Sequence, residues 1–307
     1  MQKYEKWLNA NTHLLTNQLA IVIGGTGSIG KEIVDYLLYL KAKVVIGARN
    51  VNKAEAFKKQ MLLKYPNAYI DVEYVDLSDL DSIDKFQLNI DSKYQKADIF
   101  INNSGVYHLP FSLSKDGYEI HFATNALGNY YLSKKIVFDL KLNSKMIFVS
   151  SLAANFTEID FNDIQSLHTK NKMKIYGRTK QIMNLNVSGF KKELNDYSID
   201  VNLVHPGVCA TDLFKNSHSK LFMVTIYPLM RLVFHSPKKA ALSIIKAIFV
   251  NTKENEWIGP RGLFHTSGYP KHLKLRKRNY ELSKVEKIKD IMDGMIKVHN
   301  DKWYKEI

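Results

Sequence analysis

Five times in this sequence a tyrosine stands four residues before a lysine: Tyr39/Lys43, Tyr130/Lys134, Tyr131/Lys135, Tyr176/Lys180 and Tyr280/Lys284. On a helix that spacing puts both side chains on one face. An ammonium beside a phenol lowers the phenol's normally high pKa and makes it a usable proton donor or acceptor. With 17 tyrosines and 38 lysines in 307 residues, chance supplies about two such pairs, so position has to choose among them. Tyr39/Lys43 runs from a helix end into a strand, the Tyr130 and Tyr131 pairs sit in mid-helix, and Tyr280/Lys284 lies beyond the predicted sheet. Tyr176 instead follows a strand whose carboxyl end delivers Ser150 and Ser151 to the crevice where open parallel sheets bind ligands.

A second chemical signal is Gly24-Gly25-Thr26-Gly27-Ser28-Ile29-Gly30, between a buried-strand pattern and an amphipathic helix pattern. There Gly24 permits a tight turn, Gly27 lets backbone N–H groups approach a pyrophosphate, and Gly30 allows close packing of helix on strand. The end of the next strand reads Gly47-Ala48-Arg49-Asn50. A site for NAD usually offers a carboxylate at that point to the ribose 2′-hydroxyl, whereas Arg49 suits a 2′-phosphate. The expected cofactor is therefore NADP(H) in preference to NAD(H).

The elements that must position these residues are legible as an alternation. Strand-like runs occur at Leu19 to Ile23, Lys43 to Ala48, Tyr69 to Val75, Asp98 to Asn102, Lys145 to Ser150 and Ile199 to His205, with amphipathic stretches between them. Strands alternating with helices of this length predict βαβ units, hence an α/β, doubly wound (Rossmann) parallel sheet with helices on both faces. Residues 1–18 read as an N-terminal extension and 19–212 as the dinucleotide-binding and catalytic core. Residues 213–307 read as a substrate lid, C-terminal helices and a basic tail of the same single domain.

Composition narrows the function classes. Hydrophobic residues make up 45% and charged residues 24%, which predicts a sizeable core rather than disorder. The single cysteine, Cys209, excludes an internal disulfide, and no Cys/His spacing suggests a zinc site, so no metal is expected. The start of the chain lacks the apolar stretch of a signal peptide and no apolar run reaches about 18 residues; the expected setting is cytoplasmic. The net charge of +14 raises nucleic acid or an anionic membrane as partners. However, only six of the basic residues are arginine, the type that planar phosphate and base recognition favours, and no nucleic-acid-binding motif is present.

Taken together, GGTGSIG, Arg49, Asp76 in VDLS, Asn102-Asn103-Ser104-Gly105, Asn125-Ala126-Leu127-Gly128, Ser150-Ser151, YGRTK and His205-Pro206-Gly207 followed by Thr211 resemble the short-chain dehydrogenases/reductases. The resemblance covers about residues 19–212 and is strongest to the branch of retinol dehydrogenases and carbonyl reductases, which shares the 25-residue gap from Ser151 to Tyr176. It implies that Tyr176 is the proton donor or acceptor, that Lys180 binds the nicotinamide ribose, that Ser151 holds the substrate oxygen and that Asn125 helps hold a relay water. It also implies a cofactor lining of Gly24, Thr26, Gly27, Ser28, Ile29 and Gly30 at the pyrophosphate and Arg49 with Asn50 at the 2′ position. Asp76 and Leu77 would flank the adenine, Asn103, Ser104 and Gly105 the ribose, and Pro206, Gly207, Val208 and Thr211 the nicotinamide. Three departures bear on the pyrophosphate loop: Ile23 and Ser28 replace the branch's usual Thr and Gly, and Ser104 stands where Ala is usual.

By the same resemblance Leu213 to Phe234, rich in Leu, Phe, Met and Tyr, implies an apolar lid and a small-molecule carbonyl or alcohol substrate of apolar, retinoid- or lipid-like character. That segment together with eight basic residues in 271–289 predicts peripheral membrane contact. A homodimer or homotetramer is implied. The alternative function is a catalytically silent NADP(H)-sensing protein that keeps the fold without turnover.

Overall fold

The computed structural model describes residues 2–209 and 236–306. Eight strands form one sheet in the order β3-β2-β1-β4-β5-β6-β7-β8. They are β1 (Leu19–Ile23), β2 (Lys43–Ala48), β3 (Ile70–Tyr74), β4 (Ala97–Asn102), β5 (Leu140–Val149), β6 (Asp200–Val204), β7 (Glu256–Pro260) and β8 (Pro270–Lys274). All neighbouring pairs are parallel except β7 with β8. The chain order reverses between β1 and β4, which opens a crevice at their carboxyl ends.

Alternation along each strand divides the apolar side chains between the two faces of the sheet. Ile21, Phe100 and Phe148 enter one core with helices α4 (Leu80–Lys93), α5 (Gly128–Ile136), α6 (Lys172–Glu193) and α8 (Leu282–Glu306). Ala20, Val22, Ile99, Ile101 and Ile147 enter the other, with α2 (Ser28–Tyr39), α3 (Val51–Lys64) and α7 (Pro237–Ile248). The extension folds as α1 (Gln2–Asn11), whose Leu8 is buried in this second core. Trp7 of α1 stacks on Tyr269.

α5 is entered through a π-helical segment, Ala123–Leu127, closed by Gly128 N–H donating to Ala123 O. The wider turn brings Gly128 so close to the loop after β3 that a Cβ there would stand 1.9 Å from Leu77 O. Gly128→Ala is thus expected to destabilise the fold by about 1–3 kcal/mol, the usual cost of overpacking, and urea unfolding measures it. A wild-type midpoint would show that the backbone yields there freely.

The C-terminal region is folded where a basic tail was expected. The basic stretch 271–289 is not a tail: it contains β8, a 3-10 turn at Lys277–Asn279 and the start of α8. α8 buries Ile288 and Met292 against the first core. Two rejected Tyr/Lys pairs have structural partners: Tyr130 Oη (2.8 Å) and Lys134 Nζ (3.0 Å) both reach Asp293 of α8. Tyr131 Oη and Lys135 Nζ both reach the buried Asp84 at 2.7 Å. The expected lid, 213–234, lies outside the described residues. Among the described residues no helix is long and apolar enough to cross a membrane.

Candidate active site

β1 runs into a turn at Gly24, whose φ of +74° favours glycine. Gly27 is the N-cap of α2 and makes no side-chain hydrogen bond there, so no side chain of its own covers the helix N-terminus. A Cβ on Gly30 would stand 2.1 Å from Gly24 O and 3.0 Å from Asn103 Nδ2. That nitrogen in turn donates to Gly24 O at 3.2 Å, tying the loop after β4 to the glycine turn. A cavity runs along Thr26, Gly27, Ser28, Ser104 and Gly105. This lining at a helix N-terminus fits a pyrophosphate.

At its far end lies a second cavity bounded by Arg49, Asn50, Lys53, Asp76 and Leu77. Arg49 is mostly exposed and stands 3.9 Å from Asp76. The Asp76 carboxylate is held by Ser78, which donates from N at 2.9 Å and from Oγ at 2.7 Å. Asn50 uses its side-chain oxygen to cap α3, accepting from Lys53 N at 2.9 Å. Lys53 was not singled out in the sequence, where it reads as one more exposed helix lysine.

The third cavity holds the acid/base groups: Ser151, Tyr176 and Met173 on one side, Pro206, Gly207 and Val208 on another. Ser151 leaves β5 as the cap of the 3-10 turn Leu152–Phe156, its Oγ accepting from Ala153 N at 3.2 Å. Ser150 is buried and donates to Asn184 Oδ1 at 2.6 Å, a structural role. Burial pushes the Tyr176 phenol up to about 12, with the Ser151 hydrogen bond pulling the other way and Tyr107 adding to the rise. Tyr107, absent from the sequence reading, packs edge-on against Tyr176 with ring centroids 5.1 Å apart.

Lys180 lies beneath, its Nζ 5.9 Å from the Tyr176 ring centre and donating to Val149 O at 2.9 Å. Burial pulls its ammonium down to about 8. Desolvation is the largest influence on both groups, and the ammonium is turned toward a carbonyl. Asn125, in the π-helical segment, accepts from Val106 N (2.7 Å) and donates to Val106 O (2.8 Å) and Thr179 Oγ1 (3.1 Å). It clamps the loop that carries Tyr107.

The short chain dehydrogenase family model matches residues 18–221. The chain belongs to that family. Similar proteins include the short-chain dehydrogenase TIC 32 B, chloroplastic, of Brassica napus, 32% identical over 76% of this chain and 77% of that one. Human retinol dehydrogenase 13 is 30% identical over 74% of this chain and 70% of its own. Among solved structures, a protein from Mycobacterium paratuberculosis superposes with a TM-score of 0.76 at 21% identity, covering 94% of this chain and 96% of its own. A Serratia marcescens short-chain dehydrogenase/reductase reaches 0.61 at 22% identity, over 78% and 93% of the two chains. At those identities the likeness speaks for the fold.

In this short-chain dehydrogenase the three cavities adjoin through shared residues: Ile29 and Tyr107 line both the first and the third. Of the residues expected at the site, Gly30, Asn125 and Lys180 stand behind the walls as supports, and Thr211 lies outside the described residues. The Arg178 of YGRTK points away from the cavity. It donates to Glu158 O (3.0 Å), Ser166 Oγ (3.1 Å) and Thr169 Oγ1 (3.2 Å), pinning the insertion between Ser151 and Tyr176 to α6.

The depressed Lys180 pKa has a measurable consequence. The folded value, about 8, lies below the ordinary 10.5, so below pH 8 the fold bears the full cost of a buried charge. Between those values the unfolded chain binds the extra proton and stability rises with pH. Lys180→Met removes the effect. Its stability relative to wild type, in the protein without cofactor, is expected to fall by on the order of 3 kcal/mol between pH 7 and pH 10.5. Parallel stability-versus-pH curves for the two proteins would contradict this.

Proposed function

We propose that this short-chain dehydrogenase moves a hydride between NADP(H), preferred over NAD(H), and an apolar carbonyl or alcohol. The observation that carries this reading is the convergence of Ser151 and Tyr176 on one cavity that continues into the glycine-loop cavity. When bound, the nicotinamide supplies or accepts the hydride; the chain manages the oxygen and its proton. Ser151 Oγ accepts from Ala153 N, and its O–H, which hydrogen-bonds Tyr176 here, would turn to the substrate oxygen, where negative charge grows as hydride arrives. The Tyr176 phenol, with its raised pKa, is neutral at pH 7 and so holds the proton a carbonyl reduction consumes. Lys180 would bind the nicotinamide ribose, and Asn125 would hold the Val106–Tyr107 loop beside a relay water.

The cavity wall of Leu152, Phe156, Met173 and Tyr107 supports an apolar substrate, as does similarity to enzymes named for retinol. Arg49 and Lys53 support the NADP reading, since the 2′-phosphate brings an anion to that corner. The test is NADPH consumption against a panel of aldehydes and ketones running from small polar to retinal- and steroid-sized. Turnover that improves with apolar size is expected. NADPH binding without turnover anywhere on the panel would favour the silent sensing protein instead.

A further inference from the structure

The turn that follows Ser151 is held from outside the span that the family model matches. Asn155 is nearly buried, and its backbone O accepts from Arg276 Nη1 at 2.8 Å. Its side-chain Oδ1 accepts from Nδ2 of the fully buried Asn279 at 2.9 Å. The next residue, Phe156, lines the substrate cavity yet is 75% exposed, so little hydrophobic burial fixes its ring. What lies against the ring is the Arg276 guanidinium, 5.5 Å from its centre. One side chain thus grips the backbone of the turn and caps the ring that the turn presents.

We propose that Arg276 is a positioning residue: it sets the Ser151–Phe156 turn and holds Phe156 as a fixed wall of the substrate cavity, so that it governs which substrates fit. Three physical points support this. A guanidinium has enough donors to bond a carbonyl while its plane stacks on an aromatic face, which an ammonium cannot match. The brace starts from a fixed place, because Leu275 is buried and its N–H donates to Asn255 O at 2.8 Å, just before β7. The turn also has few bonds of its own, chiefly Ala153 N to Ser151 Oγ and Ala154 N to Ser151 O. The effect on substrates rests on the proposed reductase activity; the effect on the turn does not.

The test therefore has two readouts. In Arg276→Ala, amide hydrogen exchange of Ala153 and Ala154 is expected to accelerate by on the order of tenfold, the scale of a lost charge-assisted hydrogen bond. Exchange in β5 and α6 should stay as in wild type. In the carbonyl panel, the kcat/KM ratio of bulky to small substrates should fall by a similar factor. Arg276→Lys keeps the charge and a donor group but not the planar fork and is expected to restore the melting temperature, so a residual selectivity change in it reports local positioning. Unchanged exchange at Ala153 and Ala154, or a uniform rise across the sheet, would overturn the proposal whatever the turnover. If the wild type reduces no carbonyl, the functional reading fails while the exchange measurement still decides the brace.

Discussion

Tyr176→Phe is expected to fold, bind cofactor and lose turnover by about 10²–10⁴-fold, the range for removing a general acid or base. The change deletes one hydroxyl and leaves the ring. The edge-on packing against Tyr107 and the floor formed by Lys180 survive. Ser151 loses a hydrogen-bond partner but keeps Ala153 N, so the oxygen-binding half of the site persists. The check is twofold: NADPH binding by fluorescence, expected to be near wild type, and single-turnover rates. Turnover within a few-fold of wild type would show that the proton comes from elsewhere in the cavity. The raised phenol pKa also fixes the sign of the pH dependence. With Tyr176 as the proposed acid, reduction would use the protonated phenol and should hold up through neutral pH, while oxidation of the alcohol should climb toward high pH.

Arg49→Ala should weaken NADPH binding by roughly 10- to 100-fold, the value of one or two charge-assisted hydrogen bonds, and leave NADH binding within about twofold. Only the phosphorylated cofactor brings an anion to this corner. The loss is bounded from above because Lys53 borders the same cavity and remains. It is bounded from below because Arg49 is exposed and partly screened by water and salt. Equal losses for both cofactors in a titration would remove the case for NADP(H). Selectivity that survives Arg49→Ala but collapses in the double variant with Lys53→Ala would move the assignment to Lys53.

Much of this architecture was legible because its determinants are local. Six strands declared themselves as short apolar runs, and the structure keeps them within a residue or so, except β5, which begins at Leu140 rather than Lys145. β8 was hidden because only two of its five residues are buried, so Lys271, His272 and Lys274 read as part of a charged tail. The glycine loop, Ser151 and the Tyr176/Lys180 pair were visible because backbone approach and helix spacing leave a mark in the sequence. Tyr107, Phe156, Met173 and Lys53 were not. They reach the cavities from loops or helix ends whose paths are set by distant partners: the Asn125 clamp on Val106, Arg178 on the insertion, and Arg276 on the turn. No period or short motif encodes such contacts. The wall of the pocket was accordingly harder to read than its chemistry.

The final strand has one more consequence. A parallel sheet that ended on β7 would offer a row of unpaired amides and carbonyls to any passing extended chain. Here β8 turns back antiparallel, opens on Pro270 and carries Lys271 and Lys274 exposed. Proline withholds a donor and the lysines resist desolvation, so the margin makes a poor template for a ninth strand. Some of the lysine surplus therefore acts against aggregation rather than in recognition.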